Sequence, residues 1–322
     1  MALGVGLVGT GAAAKRRAAA LQDEARGQLL AVTGSNRSRR ERFADTFGIR
    51  AVASVAELVA LPQVKLVIVA TVNCAHGQSV RAALEAGKHV VVEYPLSLDP
   101  QEAWELLALA QARDVLLHVE HIELLGGVHA IARDYLPRLG PIFRASYRTI
   151  APKHPAPRRW SYHHEQLGYP LCGALSRIHR VLDLLTPSLG PVVAVTGRSR
   201  FWDAEDEGYF RACWCEAELG FATATATVTY GKGETFWLPE RVLEIFGEGG
   251  RLLLSDNRGA FIDAAGTTDL PVEPTRGSFA MDTAAVFDFL ELGKPLYVRA
   301  EASCRALEIA NTARLAATGT SV

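Results

Sequence analysis

Short apolar runs alternate with segments of helical periodicity through residues 1–120 of the chain. The run at residues 66–70 is unbroken, which is typical of a strand covered on both of its faces. The predicted strands are residues 4–8, 29–33, 66–70, 89–93 and 115–119, and the predicted helices are residues 12–26, 37–47, 57–61, 75–86 and 100–111. This alternation favours a parallel, doubly wound sheet.

The pattern changes after residue 122, where strands become more frequent and helices fewer. Apolar and polar residues alternate at residues 222–227, as in an antiparallel sheet with one covered face. The predicted strands are residues 142–150, 192–202, 210–218, 223–230, 241–247 and 251–256, and the predicted helices are residues 124–138, 171–185, 279–290 and 302–317. We therefore expect an α/β protein whose second domain, residues 123–322, is α+β with a large, mostly antiparallel sheet. The helix at residues 302–317 is a candidate to pack back on the first domain, residues 1–122.

Composition and charge narrow the classes of protein that the chain can represent. It has 322 residues, 49% of them hydrophobic, and a formal net charge of −1, which gives no field that would gather nucleic acid. The five cysteines, including the C-x-C pair Cys213 and Cys215, lack metal-type spacing. We expect reduced structural thiols, no metal, and a reducing compartment.

The chain also lacks the sequence signs of export or membrane insertion. Residues 1–14 have no basic n-region, and no stretch of about 18 uncharged apolar residues occurs. We expect a cytoplasmic protein without membrane or nucleic-acid partners. The sequence leaves the oligomeric state open between a monomer and a sheet-mediated homo-oligomer.

A glycine-rich turn at residues 9–14, GTGAAA, joins the first predicted strand to the first predicted helix. It fits the pattern G-x-G-x-x-G/A of Rossmann dinucleotide-binding domains. Gly9 permits the tight turn, and Gly11 lets the backbone approach a pyrophosphate. Thr10 and Ala12 complete the turn, where the helix N-terminus offers N–H groups to phosphates. The alternative is a tight turn without a ligand.

The residues after the second predicted strand bear on the choice of cofactor. An NAD-preferring site has Asp or Glu there, bound to the ribose 2′-hydroxyl. This chain has Ser35, Asn36 and Arg37 and no acid before Glu41. Because a guanidinium can bind a 2′-phosphate with charge-assisted hydrogen bonds, we predict NADPH as the cofactor and NADH as a weaker substitute. The alternative is that Arg37 belongs to the solvated surface of a helix.

Two further motifs resemble a known family. TVNCAH at residues 71–76 and AGKHVVVEYP at residues 86–95 are similar to the T-x-N-x-x-H and A-G-K-H-V-x-x-E-K-P stretches of the Gfo/Idh/MocA oxidoreductases. The resemblance covers the first domain well and the second in outline. It implies that Thr71, His76 and Glu93 lie at the cofactor site. Tyr94 is a candidate catalytic residue that either hydrogen-bonds near the nicotinamide or simply packs.

The chain departs from the sugar dehydrogenases of this family in two places. It has Tyr94 where they have lysine, and GALSRIHRVLD at residues 173–183 replaces their D-x-G-x-H-x-I-D stretch. Arg177 occupies the position of an acid, and His179 is displaced from the position of the base. Oxidation of a sugar hydroxyl needs a base near the carbinol. A sugar or polyol dehydrogenase is therefore our second hypothesis, and a non-catalytic NADPH-binding sensor is the third.

Another branch of the family fits better. VEYP at residues 92–95, HVEHIELL at residues 118–125 and GYP at residues 168–170 resemble the members that reduce biliverdin, particularly the bacterial kind. The resemblance implies NADPH-dependent reduction of the central methine bridge of this linear tetrapyrrole to give bilirubin, with a proton passed to a pyrrole nitrogen. Arg177 is our candidate for assisting that step, by stabilising charge on the bilin or by passing a proton from water. Arg180, one helical turn later, is expected on the same face and is a candidate to hold a propionate or a lactam oxygen.

The segment between Arg144 and Arg180 is the most basic part of the sequence. It has seven Lys or Arg residues, four His residues and a single acid, Glu165. Aromatic and guanidinium faces with nearby cations would suit a flat dicarboxylate. The alternatives are a solvated basic loop, a nucleic-acid surface and, for Arg177 and Arg180, ion pairs on the helix surface. The predicted substrate-binding residues are Arg180, Glu120, His121, Arg159 and Tyr169.

Overall fold

A computed structural model describes residues 2–168, 175–273 and 277–319 of the chain. The chain forms two compact units. Met1–Ile122 with Gly277–Cys304 makes up the first, and Glu123–Arg276 with Arg305–Val322 makes up the second. The segment Gly277–Cys304 thus belongs to the first unit, whereas the sequence analysis placed it in the second domain. Among the described helices, none is long and apolar enough to cross a membrane.

The first unit contains a six-stranded sheet with the strand order β3-β2-β1-β4-β5-β6. Its strands are β1 (Leu3–Val8), β2 (Gly27–Thr33), β3 (Arg50–Ala51), β4 (Val64–Val69), β5 (His89–Val92) and β6 (Leu117–Val119). All of its strand pairs are parallel, as predicted. The sequence analysis missed β3 because a strand of two residues forms no apolar run.

Five helices connect these strands: α1 (Ala12–Gln22), α2 (Arg37–Phe47), α3 (Val55–Val59), α4 (His76–Glu85) and α5 (Pro100–Ala112). The side chains of Asn36, Ser54 and Asp99 cap α2, α3 and α5 by accepting backbone N–H groups. Helix α1 ends at Gln22, four residues earlier than predicted. The acids Asp23 and Glu24 follow it, and negative charge is unfavourable at the C-terminal end of a helix.

The second unit contains an eight-stranded sheet with the order β14-β13-β12-β11-β7-β10-β9-β8. Its strands are β7 (Ile142–Pro152), β8 (Ala194–Asp203), β9 (Phe210–Gly220), β10 (Thr225–Gly233), β11 (Glu240–Gly247), β12 (Gly250–Ser255), β13 (Gly259–Asp263) and β14 (Gly266–Leu270). The sheet is antiparallel except where β7 pairs with β10. This confirms the predicted fold class. Strands β13 and β14 were missed because most of their residues are exposed or half-buried and form no apolar pattern.

Helix α6 (Gly127–Tyr135) precedes β7 along the chain, and helices α7 (His164–Leu167) and α8 (Leu175–Leu189) lie between β7 and β8. Helix α8 packs on β7 and β10. Register places Thr149 between Tyr230 of β10 and Arg241 of β11, so these three side chains share one face of the sheet. The predicted helix at residues 171–185 is described only from Leu175 onward.

Two helices end the chain, α9 (Ser278–Leu292) and α10 (Ala300–Thr318). Helix α9 packs on α1, and its Phe287 is only 1% exposed in the core of the first unit together with Leu21. From Arg305 onward α10 belongs to the second unit, where the carbonyl of Ala313 lies directly against Gly197 of β8. The structure therefore places most of the predicted helix at residues 302–317 in the second unit.

Candidate functional site

The glycine-rich turn of the first unit has room for a ligand at one glycine and not at the other. Gly9 has a positive φ of 124°, and a Cβ there would lie 2.2 Å from the carbonyl oxygen of Ala70. A Cβ at Gly11 would meet no atom within 4 Å. Gly11 is also the N-cap of α1 and provides no side-chain cap for its N–H groups. The fold requires Gly9, whereas the open space and uncapped helix end at Gly11 fit a bound phosphate.

The predicted 2′-phosphate site at the end of β2 is exposed. Ser35 and Asn36 lie at the surface, and Asn36 Oδ1 accepts a hydrogen bond of 2.9 Å from Arg39 N. The Arg37 side chain is 83% exposed, and its Nε donates to Glu41 Oε1 at 2.7 Å. Such an exposed i,i+4 ion pair is weak. Glu41 therefore does not prevent Arg37 from binding a phosphate.

His76 joins two of the motif loops at the carboxyl end of the sheet. Its Nδ1 lies 2.7 Å from the carbonyl oxygen of Pro95, and its Nε2 lies 3.3 Å from that of Thr71. Burial lowers the pKa of His76, so the imidazole is held neutral. A neutral imidazole has one N–H, so His76 donates to only one of these two carbonyls, and its ring, 1% exposed, lies against the loops of Thr71 and Pro95.

Tyr94 lies beside a second predicted residue, His121. Their rings stack with centroids 5.2 Å apart and an angle of 9° between the planes. His121 Nε2 lies 3.1 Å from Ser303 Oγ, and the backbone N–H of His121 donates to the Tyr297 hydroxyl at 3.1 Å. The structure thus fixes the Tyr94 ring by stacking, close to the loop that His76 positions.

A buried ionic cluster, which we call the Arg17 cluster, consists of Arg17, Glu93, Glu120 and Asp282. The guanidinium of Arg17, in α1, donates from Nε to Glu93 Oε1 at 2.7 Å and from Nη1 to Asp282 Oδ2. Arg17 Nη2 lies 4.0 Å from Glu120 Oε2. Glu93 follows β5 and Glu120 follows β6, so one cation holds the carboxyl ends of two strands and helix α9 together.

Asp282 has two more partners within the first unit. His118 Nε2 lies 2.7 Å from Asp282 Oδ1, and the Tyr297 hydroxyl donates to the same oxygen at 2.6 Å. Burial alone would raise the pKa of Asp282, but the charge of Arg17 and these hydrogen bonds hold it below its ordinary value. Asp282 therefore remains an anion in the protein interior.

Glu120 behaves in the opposite way. Burial, followed by the negative charge of Glu93, raises the pKa of Glu120 well above its ordinary value, and Arg17 only partly offsets this. The Arg17 cluster therefore contains one carboxyl group that favours its protonated form, that of Glu120, and one that stays ionised, that of Asp282. Glu120 was predicted to bind substrate, and the structure places it 2% exposed in this cluster.

The sequence analysis did not single out Arg17, although a signal was present. Arg17 lies three residues after Ala14 and four before Leu21, on the buried stripe of α1. A charged residue on the apolar face of a helix requires a buried counter-ion. The partner could not be predicted, because Asp282 lies 265 positions away along the chain.

The second unit contains a cluster in which the cations outnumber the carboxylates, unlike the Arg17 cluster. We call it the Glu123 cluster, and it consists of Glu123, Arg177, Arg180 and Arg241. Glu123 Oε1 lies 3.6 Å from Arg177 Nη2 and 3.6 Å from Arg241 Nη1, and its Oε2 lies 3.9 Å from Arg180 Nη2. Burial alone would raise the pKa of Glu123, but the three arginines lower it below its ordinary value. One half-buried carboxylate thus faces three cations.

Aromatic and hydroxyl groups of the sheet complete the surroundings of these arginines. Arg177 donates to Ser176 Oγ at 2.8 Å and to Thr149 Oγ1 at 3.3 Å, and its guanidinium lies 5.2 Å from the Tyr230 ring centroid. Arg180 donates to the Tyr147 hydroxyl at 2.8 Å and to the Glu123 carbonyl at 2.5 Å. As predicted, Arg177 and Arg180 lie on the same face of α8.

Two polar atoms of the Glu123 cluster, Arg180 Nε and Glu123 Oε2, are buried without a hydrogen-bond partner in the part of the chain that the structure describes. Buried polar atoms of this kind are uncommon in folded proteins and often mark sites of ligands or ordered water. Among the described residues, the cluster thus has buried polar atoms without partners and more cations than carboxylates.

The remaining predicted residues fall elsewhere. Arg159 is exposed, and its Nε donates to Ser161 Oγ at 3.1 Å. Tyr169 lies outside the described residues. The basic segment is also less charged than its sequence indicated, because acids from distant strands and loops approach it: Arg148 pairs with Glu240, Arg158 with Asp206 and His164 with Asp203.

Comparisons with known proteins agree with this architecture. The family described as "Oxidoreductase family, NAD-binding Rossmann fold", Gfo/Idh/MocA, matches residues 3–121. The crystal structure of biliverdin reductase from Synechocystis sp. PCC 6803, in complex with biliverdin and NADP+, superposes with a TM-score of 0.93 and 46% sequence identity, covering 98% of this chain and 99% of that chain.

Curated relatives match over part of the chain. Biliverdin reductase A of Mus musculus is 37% identical over 122 residues, which is 38% of this chain and 40% of that protein. The dTDP-3,4-didehydro-2,6-dideoxy-alpha-D-glucose 3-reductase of Saccharopolyspora spinosa is 32% identical over 133 residues, 41% of this chain and 40% of that protein. The chain thus aligns with about two fifths of the length of these curated relatives.

The chain belongs to the Gfo/Idh/MocA family of NAD-binding oxidoreductases. Within the family it is similar, over nearly its whole length, to a cyanobacterial biliverdin reductase. The family resemblance expected from TVNCAH, AGKHVVVEYP and HVEHIELL is therefore confirmed.

Replacing Arg17 tests how much the Arg17 cluster contributes to the free energy of unfolding. We expect Arg17→Met to lower the free energy of unfolding by roughly 3–5 kcal/mol, because it leaves buried carboxyls without their cation. The neighbouring Arg16 is exposed in the same helix, so Arg16→Met should change stability by no more than about 0.5 kcal/mol. Urea denaturation followed by circular dichroism measures both variants, and equal midpoints for the two would contradict the expectation.

Proposed function

We propose that this chain reduces biliverdin to bilirubin at the central methine bridge, with NADPH as the reductant. The supporting observation is 46% identity, across 98% of the chain, to a biliverdin reductase whose crystal structure contains both biliverdin and NADP+. When bound, NADPH supplies a hydride to the electrophilic methine carbon of the bilin.

The first unit provides the groups for the dinucleotide. The turn of Gly9, Thr10, Gly11 and Ala12 leaves open space beside uncapped N–H groups, which suits the pyrophosphate. Arg37, exposed after β2, is the group for the 2′-phosphate, with Ser35 and Asn36 in the same turn. Thr71, His76, Glu93 and Tyr94 lie at the edge of the sheet where Rossmann domains hold the reactive end of the cofactor.

The second unit provides the groups for the bilin. Biliverdin is a flat, conjugated dicarboxylate, and the Glu123 cluster combines surplus cations with the half-buried aromatic ring of Tyr230. We assign Arg177 to stabilising the negative charge that develops on the tetrapyrrole, while water passes a proton to a pyrrole nitrogen. A guanidinium is too weak an acid, with a pKa above about 12, to give up its own proton readily.

Oxidation of a sugar hydroxyl is poorly supported by the same residues. Arg177 cannot serve as the base, and His179 is the nearest histidine in the sequence motif. His179 is 1% exposed, and burial lowers its pKa to about 4, far below that of an efficient base at neutral pH. The identity to the Saccharopolyspora spinosa sugar reductase spans only two fifths of either chain.

Mixing the protein with biliverdin and NADPH tests the proposal directly. We expect loss of the biliverdin absorbance band and growth of the bilirubin band, and no reduction of NADP+ when a polyol is added instead. Gly11→Val should abolish turnover, and NADPH binding measured by calorimetry, while keeping the circular dichroism spectrum, because a Cβ at this position meets no protein atom within 4 Å and the valine side chain obstructs the pyrophosphate. NADPH binding without bilin turnover in the unaltered protein would instead indicate a sensor.

The preference for NADPH should depend on Arg37. Arg37→Asp should raise KM for NADPH far more than KM for NADH, because a repelling carboxylate replaces the phosphate-binding guanidinium. Arg42→Asp makes the same change of charge at the exposed surface of the same helix and serves as the control. It should leave the ratio of KM for NADPH to KM for NADH nearly unchanged. Steady-state kinetics with both cofactors decides this, and an unaltered protein that works better with NADH would contradict it.

The catalytic assignment of Arg177 predicts a loss in kcat. If Arg177 stabilises charge only as the reaction proceeds, Arg177→Ala should lower kcat by about 10²–10³-fold with a modest change in KM. Arg177→Lys should recover part of the rate, because it keeps the charge but loses the planar guanidinium. NADPH binding should be unchanged in both variants. A near-normal kcat for Arg177→Ala would return Arg177 to a structural ion pair.

A further inference from the structure

Arg241, which the sequence analysis did not single out, joins the Glu123 cluster from β11. It lies beside Thr149 in the sheet register, and Thr149 in turn lies beside Tyr230. Thr149 and Tyr230 are both partners of Arg177. Arg241 therefore occupies the same face of the eight-stranded sheet as the residues assigned to the bilin.

The three arginines differ in how much of each guanidinium remains accessible. The Arg180 side chain is 3% exposed, with Nη1 donating to Tyr147 and Nη2 to the Glu123 carbonyl. The Arg177 side chain is 11% exposed and donates to two hydroxyl groups. The Arg241 side chain is 33% exposed. Solvent, and therefore a ligand, reaches Arg241 most easily.

The existing partners of Arg241 hold it loosely. Its Nη1 lies 3.6 Å from Glu123 Oε1, and its Nε lies 3.4 Å from Asp256 Oδ1. Both distances exceed the roughly 2.7–2.9 Å of a charge-assisted hydrogen bond. Asp256 is 66% exposed, so water screens its charge. Arg241 can therefore turn to a better placed carboxylate without breaking a strong hydrogen bond.

Glu123 cannot neutralise the cluster alone, because three guanidinium groups share its single charge. A carboxylate from a ligand would restore part of that balance in a largely buried setting, where charge pairing is stronger than in water. The sequence analysis assigned this task to Arg180, but the hydrogen bonds of Arg180 to Tyr147 and Glu123 suit it to holding the cluster in place.

We propose that Arg241 is the residue that binds a propionate carboxylate of the substrate and so selects acidic bilins over their neutral derivatives, an inference that rests on the proposed function. Arg180 then acts as a positioning residue for Glu123. The bilin carboxylate accepts hydrogen bonds from the Arg241 guanidinium, and the contact between Arg241 and Asp256 weakens.

Equilibrium binding of biliverdin and of biliverdin dimethyl ester, in which both propionates are masked, separates a carboxylate contact from general packing. Binding is followed by quenching of tryptophan fluorescence in the unaltered protein, Arg241→Gln, Arg241→Lys and Arg251→Gln. Arg251, on β12, is the control, because it is held by Glu244 and projects from the opposite face to Leu252. NADPH binding and circular dichroism are measured for each variant.

We expect Arg241→Gln to raise the Kd for biliverdin by roughly ten- to a hundredfold, as for loss of one charged hydrogen-bonding partner. The Kd for the dimethyl ester should change by less than about twofold, since it offers no carboxylate to Arg241. The Kd of Arg241→Lys for biliverdin should fall between those of Arg241→Gln and the unaltered protein. The Kd of Arg251→Gln should match that of the unaltered protein.

Equal weakening of biliverdin and ester binding, or no weakening of either, in a folded Arg241→Gln protein would overturn the assignment. This result is distinct from failure of the proposed function. Selective loss of biliverdin binding in a protein that does not turn biliverdin over would support Arg241 as the carboxylate site while refuting the reductase activity.

Discussion

The burial of the Arg17 guanidinium among three carboxyl groups is the interaction on which the organisation of the first unit depends. A charge in a protein interior is tolerated only when partners surround it. Those partners come from the loop after β5, the end of β6 and helix α9, so the contacts of Arg17 with Glu93, Glu120 and Asp282 fix these elements together. The same loops contain Glu93 and Tyr94, and structural stability is thereby linked to the edge of the sheet assigned to the cofactor.

The second unit applies the same principle with the charges reversed. Glu123 is a half-buried anion among three cations, and their surplus suits the dicarboxylate substrate that we propose. The sheet register brings Thr149, Tyr230 and Arg241 to the face on which Arg177 lies, and none of these is close to Glu123 in the chain. The two clusters show how a protein with a net charge of −1 maintains local sites of opposite sign.

Motifs that act through the backbone were predictable because their neighbours in sequence are their neighbours in space. Gly9 and Gly11 form one turn, and the structure shows that the fold requires glycine at position 9 while it leaves open space beside Gly11. The strands with unbroken apolar runs were predicted for the same reason. Strands β13 and β14 were not, because they are five residues long and mostly exposed or half-buried, and they gain their order from pairing with β12 and with each other.

The sequence by itself determined the fold class, the dinucleotide turn, the absence of an acid after β2 and the presence of Arg177 and Arg180 on one helix face. These follow from local periodicity and spacing, which the chain encodes directly. Only the tertiary structure decided that Gly277–Cys304 completes the first unit, that Glu120 is buried beside Arg17, and that Arg241 joins Arg177 around Glu123. Each of these depends on the partner that a buried charge finds across long stretches of chain, and burial and pairing arise only when the chain folds.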